Sequence, residues 1–241
     1  MINAYIIRID GNSVNFDSSN KLIQSIKDTN SDITPHILEA TTPETISTHL
    51  RAEFSYYNPK EYFWGYPRSP EQNKLCIKSG LFLSCYAAKN QSVVEACSIS
   101  HMRAWDKCVE LDEPIIVFES DALLTREFKE SDVSSTMLCG LNDPRGATRR
   151  AQVFHDKCSG SVGTARVPLV NYPNEFPFPQ GIAGNSAYYI TPSAARKLLD
   201  NINYYGMYPN DAYMCSELFP WIRIVYPYIT KVQGTVSTTT R

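Results

Sequence analysis

Apolar residues in this chain come in short bursts, and the spacing within each burst separates strands from helices. Ile2 to Ile9 is a run rich in isoleucine, closed by the turn signal Asp10-Gly11-Asn12, and predicts a buried strand. Lys21 to Lys27 carries Leu22, Ile23 and Ile26 at helical spacing. Ile33 to Ala40 predicts a second strand, closed by Thr41-Thr42-Pro43. A strand, helix and strand in this order predict two parallel strands with a helix covering one face.

The pattern then breaks. Residues 51–75 hold Tyr56, Tyr57, Tyr62, Phe63, Trp64 and Tyr66 among Pro59, Pro67 and Pro70. This is an irregular aromatic insertion, of a length that suits a flap over a site. Periodicity returns at Ser92-Val93-Val94-Glu95, whose spacing is that of a capping box. From there Val94, Cys97, Ser98, His101, Trp105 and Cys108 fall on one helical face, ending near Leu111 to Pro114. Ile115 to Phe118 is wholly apolar, predicts a central buried strand, and runs into Glu119-Ser120-Asp121. Residues 130–180 are rich in Ser, Pro and Gly and yield only a strand near Met137-Leu138-Cys139. Ser186 to Ile190 predicts a strand, Thr191 an N-cap with Pro192 in the first helical position, and the helix runs to about Asn203. Ile222 to Val225 and Ile229 to Val232 are the last strand signals, before a polar tail from Thr235 to Arg241.

Composition narrows the class without choosing the chemistry. At 241 residues, 43% apolar and 20% charged, the chain suits one large α/β domain that buries its core without staples. The net charge of −2 argues against a polyanion binder; the tight basic cluster is Arg145, Arg149 and Arg150. The seven cysteines are odd in number and lack CxxC spacing, which predicts free thiols in a reducing compartment. The opening residues lack a signal-peptide pattern, and the apolar runs fall short of a membrane span. The expected location is the cytoplasm, with any membrane contact peripheral. The 15 Tyr, 10 Phe and 3 Trp can serve the core or can stack on sugar and nucleoside rings.

The sharpest chemical feature is the pair of acids after the buried strand. Ligands of open parallel sheets bind beyond the carboxyl ends of the strands. Glu119 and Asp121, at i and i+2 on extended chain, point the same way and can share a divalent cation through oxygen ligands. Such a cation neutralises a diphosphate leaving group. The same pair also fits a solvated turn, and His101 and Trp105 on the preceding helix also fit a packed core.

At this point the residues resemble a known family. Ala96-Cys97-Ser98-Ile99-Ser100-His101, then Trp105, then Pro114 through Glu119-Ser120-Asp121-Ala122, is similar to glycosyltransferase family 25, whose pattern is Gly-Cys-x-x-Ser-His, a Trp four residues on, and a strand ending Glu-Asp-Asp. Tyr5 to Ile9, Ile37 to Ala40, Gly184 to Leu199, Asp211, and Tyr226-Pro227 through Gln233 and Ser237 resemble further pieces in the family's order. Two positions depart from it: Ala96 replaces a glycine, and Ser120 replaces the middle acid. The resemblance implies an α/β nucleotide-diphospho-sugar transferase (GT-A type) fold with a Rossmann-like, mixed, mostly parallel sheet, as a single domain over 1–241 with the insertion at about 51–75.

The resemblance also implies roles. Arg8, Glu39, Ala40 and Thr41, at the ends of the first two strands, would hold the nucleotide of a nucleotide-sugar donor, with His101, Glu119 and Ser120 beside it. Asp121 and Glu119 would hold Mn2+ or Mg2+, and His155 is a further candidate for the metal shell. Asp211 is the candidate general base, with a helix cap as its alternative role. The family's default acceptor is a cell-surface glycan such as lipopolysaccharide, at the cytoplasmic side of a bacterial inner membrane. Three alternatives stay open. A viral enzyme could glycosylate a hydroxylated base in duplex DNA, using the aromatic insertion and the arginine cluster. Hydroxylysine could be the acceptor. Or the chain could be a degenerate module that binds a nucleotide-sugar without transferring it.

Overall fold

In the computed structural model, which describes residues 1–52, 54–146, 151–168, 177–182 and 184–234, the opening unit is the one its periodicity predicts. Strand β1 (Ile2–Arg8), helix α1 (Ser13–Asp28) and strand β2 (Ile33–Glu39) pair in parallel, with Ile7 opposite Leu38 and Arg8 opposite Glu39. Helix α1 begins eight residues before the predicted Lys21. Its first half is polar, and the Asn12 side chain starts it by accepting the Asn15 N–H at 3.0 Å. Ser18 and Ser19 are buried there, and Ser19 satisfies its hydroxyl on the Phe16 carbonyl at 2.8 Å.

Helix α2 (Ile46–Arg51) leads into the aromatic segment, which contains two short 3-10 turns. The segment is irregular, as expected, yet it is stapled down rather than draped. The Asp106 carboxylate accepts the N–H groups of Ser55, Tyr56 and Tyr57 at 2.7 to 2.9 Å. Tyr57 and Tyr66 are buried in the core. A hairpin of β3 (Lys74–Cys76) and β4 (Leu81–Leu83) follows.

Helix α3 (Gln91–Leu111) is 21 residues long and starts two residues earlier than the capping-box reading placed it. Asn90 is the cap, accepting the Ser92 N–H at 2.9 Å. Glu95 does not reach back to the cap. It accepts the Tyr62 hydroxyl at 2.7 Å and pairs with Arg68 at 2.6 Å, and so anchors the aromatic segment. The helix is buried around most of its girth rather than on one face, because α2, α5 and the sheet pack on it from different sides. It stops where Asp112 takes a left-handed conformation, φ 51°.

The remaining elements are β5 (Ile115–Glu119), β6 (Ala122–Leu124), β7 (Leu138–Gly140), α4 (Ala151–Cys158), β8 (Gly163–Arg166), β9 (Ala187–Ile190), α5 (Pro192–Tyr205), α6 (Asn210–Tyr213), β10 (Ile222–Tyr226) and β11 (Thr230–Val232). Thr191 caps α5 with Pro192 at the first helical position, as predicted. The main sheet has the order β2-β1-β5-β9-β7-β10-β8. Strands β2, β1, β5, β7 and β10 run one way, and β9 and β8 run against them, so the sheet is mixed and mostly parallel. Strand β11 is not part of it; it pairs with β6 in a separate ribbon.

Two cores line the two faces of the sheet. Alternate residues of β5 divide between them. Ile115 and Val117 pack with α3 and α5; Ile116 and Phe118 pack with Leu22 and Ile26 of α1. The crossover through α1 therefore covers one face and the crossover through α3 covers the other. From β1 the chain steps outward to β2 on one side and returns to β5 on the other. The crossovers diverge between β1 and β5, and in open sheets of this kind ligands bind beyond the carboxyl ends of the strands at such a switch point.

Candidate active site

Glu119 stands at that edge because β5 delivers it there. Four buried apolar residues precede it, and Ile7 of β1 is its neighbour in register. On the other side β9 runs antiparallel, so its entry residues Asn185 and Ser186 come to the same edge; the Glu119 N–H donates to the Ser186 carbonyl at 2.8 Å. Both side-chain atoms of Asn185 and the Ser186 hydroxyl are buried without a hydrogen-bond partner.

Behind Glu119 lies a buried polar chain. The Trp105 indole N–H donates to the Tyr188 hydroxyl at 2.8 Å. That hydroxyl lies 2.9 Å from His101 Nδ1, and His101 Nε2 lies 3.4 Å from Glu119 Oε1. Trp105, Tyr188 and His101 are fully buried. Cys97 sits one helical turn before His101, with its thiol 3.6 Å from Asn210 Oδ1. Ligand-type atoms of Cys97, His101 and Glu119 all fall within 4.8 Å of one another.

Asp121 follows the turn out of β5. Burial, reinforced by the charge of Glu119, pushes its carboxyl up to about 6. Its Oδ1 is buried and unpartnered. The segment is closed over by Gln233, whose N–H donates to the Asp121 carbonyl at 2.9 Å and whose side chain reaches the carbonyls of Ser18 and Ala122. Ser120, where the related pattern has an acid, is turned to structure. Its hydroxyl donates to Asn15 Oδ1 at 3.2 Å, and Asn15 also accepts the Ile9 N–H. That bond ties the ends of β1 and β5 together.

Asp211 reaches the same place from another direction. It lies in the first turn of the four-residue α6, whose cap position is Pro209, so it is not the cap itself. The Tyr86 hydroxyl donates to its Oδ1 at 2.6 Å. Burial holds the Asp211 carboxyl above its usual range; the Tyr86 bond opposes this and the charge of Glu119 adds to it. Gly181 packs so closely that a Cβ there would collide with the Asp211 carbonyl oxygen. Cys97 registers all three acids: burial first, then Glu119, Asp211 and Asp121, raise its thiol well above the ordinary value.

The nucleotide-side candidates lie at the same edge of the sheet. Arg8 ends β1, 3.3 Å from Asp10 and 5.4 Å above the Phe16 ring. The Glu39 carbonyl accepts Arg103 at 2.7 Å, and the Ala40 N–H donates to the Arg8 carbonyl at 2.8 Å. Thr41 is buried, its N–H on the Ser100 hydroxyl and its own hydroxyl 2.8 Å from His49 Nδ1. Its polar groups are thus engaged within the protein, and Arg103 and His49 are the side chains added to this corner. His155 is elsewhere. It packs between the rings of Tyr226 and Tyr228, and among the described residues it does not join the ligand group. Arg145 is paired with Asp143 at 2.7 Å; Arg149, Arg150 and Ser237 lie outside the described residues.

The profile of glycosyltransferase family 25 (LPS biosynthesis protein) matches residues 33–138. Those residues contain β2, the Cys97–His101–Trp105 helix and the Glu119–Asp121 turn. Residues 33–138 are a family 25 segment. The chain is accordingly a glycosyltransferase, an enzyme of sugar transfer. Solved structures similar to it include a galactosyltransferase, LgtC, in complex with donor and acceptor sugar analogs (12% identity, 92% of this chain and 73% of that one, TM-score 0.40). Another is apo mouse xyloside xylosyltransferase 1 (9% identity, 92% and 83%, TM-score 0.38). No curated protein sequence matches. Among the described residues, no helix is long and apolar enough to cross a membrane.

Five residues at the site were not among the sequence candidates: Tyr86, Asn185, Tyr188, Gln233 and Cys97 as a ligand-type group. Cys97 and Tyr188 stand inside the related pattern, but as members of apolar runs they read as core. Asn185 and Ser186 were visible as a polar pair opening an apolar strand. Tyr86 gave no local signal, since its partner is 125 residues away.

Proposed function

We propose that the site at the ends of β1, β5 and α6 moves a sugar from a nucleotide-diphosphate donor to an acceptor hydroxyl. The observation that carries this reading is Asp121: a buried carboxylate with an unpartnered oxygen, close enough to Glu119 that the charge of one raises the proton affinity of the other. Two crowded acids hold that arrangement against repulsion, and a divalent cation such as Mn2+ or Mg2+ fits between them. Bound by Asp121 and Glu119, it would supply positive charge to the donor diphosphate.

The protein's own residues do the rest. Arg8 and the Glu39-Ala40-Thr41 corner hold the nucleotide. Ser120 and Asn15 keep the strand ends in register, so the donor lies across a fixed edge. Asp211 accepts the proton of the acceptor hydroxyl as its oxygen bonds to the sugar's anomeric carbon, and the bond from that carbon to the diphosphate oxygen breaks. Tyr86, donating to Asp211, favours the ionised carboxylate that this step needs. The family description points to a cell-surface glycan of the lipopolysaccharide kind as acceptor, which would place the enzyme at the cytoplasmic side of the membrane.

The test is thermal stabilisation by a panel of nucleoside diphosphates and their sugars, with and without Mn2+. One donor class at about 100 times its Kd should stabilise by about 2.7 kcal/mol, or about 5–10 °C for a chain of this size. The shift should require the metal and vanish in Asp121→Ala. No shift with any member overturns the reading. A shift without turnover of any acceptor would instead favour a binding module.

A further inference from the structure

Beside the carboxylate pair lies a donor set of different chemistry. Cys97 and His101 are four residues apart on α3, so they project from one side of the helix toward the same point. Glu119, at the end of β5, meets them there, with the three ligand-type atoms within 4.8 Å of one another. His101 is fully buried, and its Nε2 has no hydrogen-bond partner. The other ring nitrogen is fixed by the Tyr188 hydroxyl at 2.9 Å, itself fixed by Trp105 at 2.8 Å. An orienting partner on the far nitrogen is what a metal-ligating imidazole needs.

One sulfur, one nitrogen and one oxygen are the donors of a borderline-soft cation in a three-ligand site with an open fourth position. Magnesium and manganese prefer carboxylate, carbonyl and water oxygen and have little use for a thiolate. We propose that Cys97, His101 and Glu119 form a binding site for a zinc-class cation, one that competes with the Asp121 pair for Glu119. On loading, the Cys97 thiol gives its proton to solvent and its sulfur bonds the metal. Glu119 is then withdrawn from the pair. Resting on the function proposed above, the further consequence is that zinc-class ions inhibit sugar transfer at manganese levels that otherwise support it.

The experiment is a titration of the reduced, metal-free protein with Co2+, followed by displacement with Zn2+. One equivalent should produce a thiolate-to-cobalt charge-transfer absorption that zinc abolishes. Cys97→Ser should lose that absorption, and His101→Gln should weaken cobalt binding at least about tenfold. Tyr188→Phe, which acts through His101, should weaken it by about 10–100-fold. Zinc should also shield Cys97 from alkylation in the wild-type protein, mapped by peptide mass, which tests the site even if a variant fails to fold. No charge-transfer absorption, an absorption undiminished in Cys97→Ser, or a Cys97 alkylated equally with and without zinc each overturns the proposal. Because none of these readouts involves a donor, they stand or fall apart from the thermal-shift test of the transferase reading.

Discussion

Glu119 and Asp211 are close enough for the charge of one to raise the proton affinity of the other, yet they are built in opposite ways. Glu119 ends a strand whose residues Ile115 to Phe118 are essentially without exposure, with β1 on one side and β9 on the other. It is where it is because the core is where it is. Asp211 rides on a single helical turn, held by one tyrosine hydroxyl and by a glycine that leaves room for its backbone. The strand end suits groups that must not move relative to the donor. The short helix suits a group that must meet an acceptor.

If that division is right, removing the Asp211 carboxylate should cost chemistry and spare donor binding. Asp211→Asn keeps the shape and the Tyr86 contact. It should lower kcat by about 10²–10⁴-fold, the usual contribution of a positioned general base. Stabilisation by donor and Mn2+ should be unchanged. Loss of donor binding in this variant would break the comparison, because Asp211 would then belong to the donor side with Asp121.

A smaller effect sharpens the same point. Tyr86→Phe removes the hydrogen bond that holds Asp211 and opposes the rise that burial imposes on its carboxyl. The expected loss in kcat is about tenfold, equivalent to about 1.4 kcal/mol of transition-state stabilisation. Net stability should fall by about 1 kcal/mol, the ordinary worth of one hydrogen bond. Steady-state kinetics and a melting curve read both, and an unchanged kcat would show that α6 holds its acid without help.

The comparison also explains what the amino-acid pattern made legible. The β1-α1-β2 unit, the Thr191-capped α5 and the acids after β5 all follow from neighbours within one or two turns, where periodicity and caps act. The mixed order of the sheet was legible through the family resemblance, since β9 and β7 are too short to declare their direction. Asp211 was legible through the family resemblance, but its surroundings were opaque for a physical reason: Tyr86, Gly181 and Asp211 meet only after the chain between them has folded. Ser92 and Glu95 show the converse. Their capping-box spacing was a true local pattern, but Tyr62 and Arg68 offered Glu95 stronger partners than the helix end did.

The smallest effect lies on the strand side and is one of pH. In the folded protein Asp121 binds its proton up to about 6, above its ordinary value of 3.8. An acid whose folded pKa is raised stabilises the fold below its unfolded value, and that contribution is lost as pH rises through the folded one. Asp211 and Glu217, also raised by burial, act with the same sign, whereas Asp143, lowered by Arg145, acts against them. The Asp121 share is isolated by comparing the metal-free wild type with Asp121→Asn, which is neutral at every pH. The two melting temperatures should agree near pH 4 and diverge by a few degrees by pH 7.5, with Asp121→Asn the more stable. Adding Mn2+ at pH 7.5 should restore the wild type alone, because a cation relieves the crowding that the proton relieves at low pH. Parallel curves would mean that neither burial nor the charge of Glu119 raises Asp121, and the strand end would then owe its character to Glu119 without its neighbour.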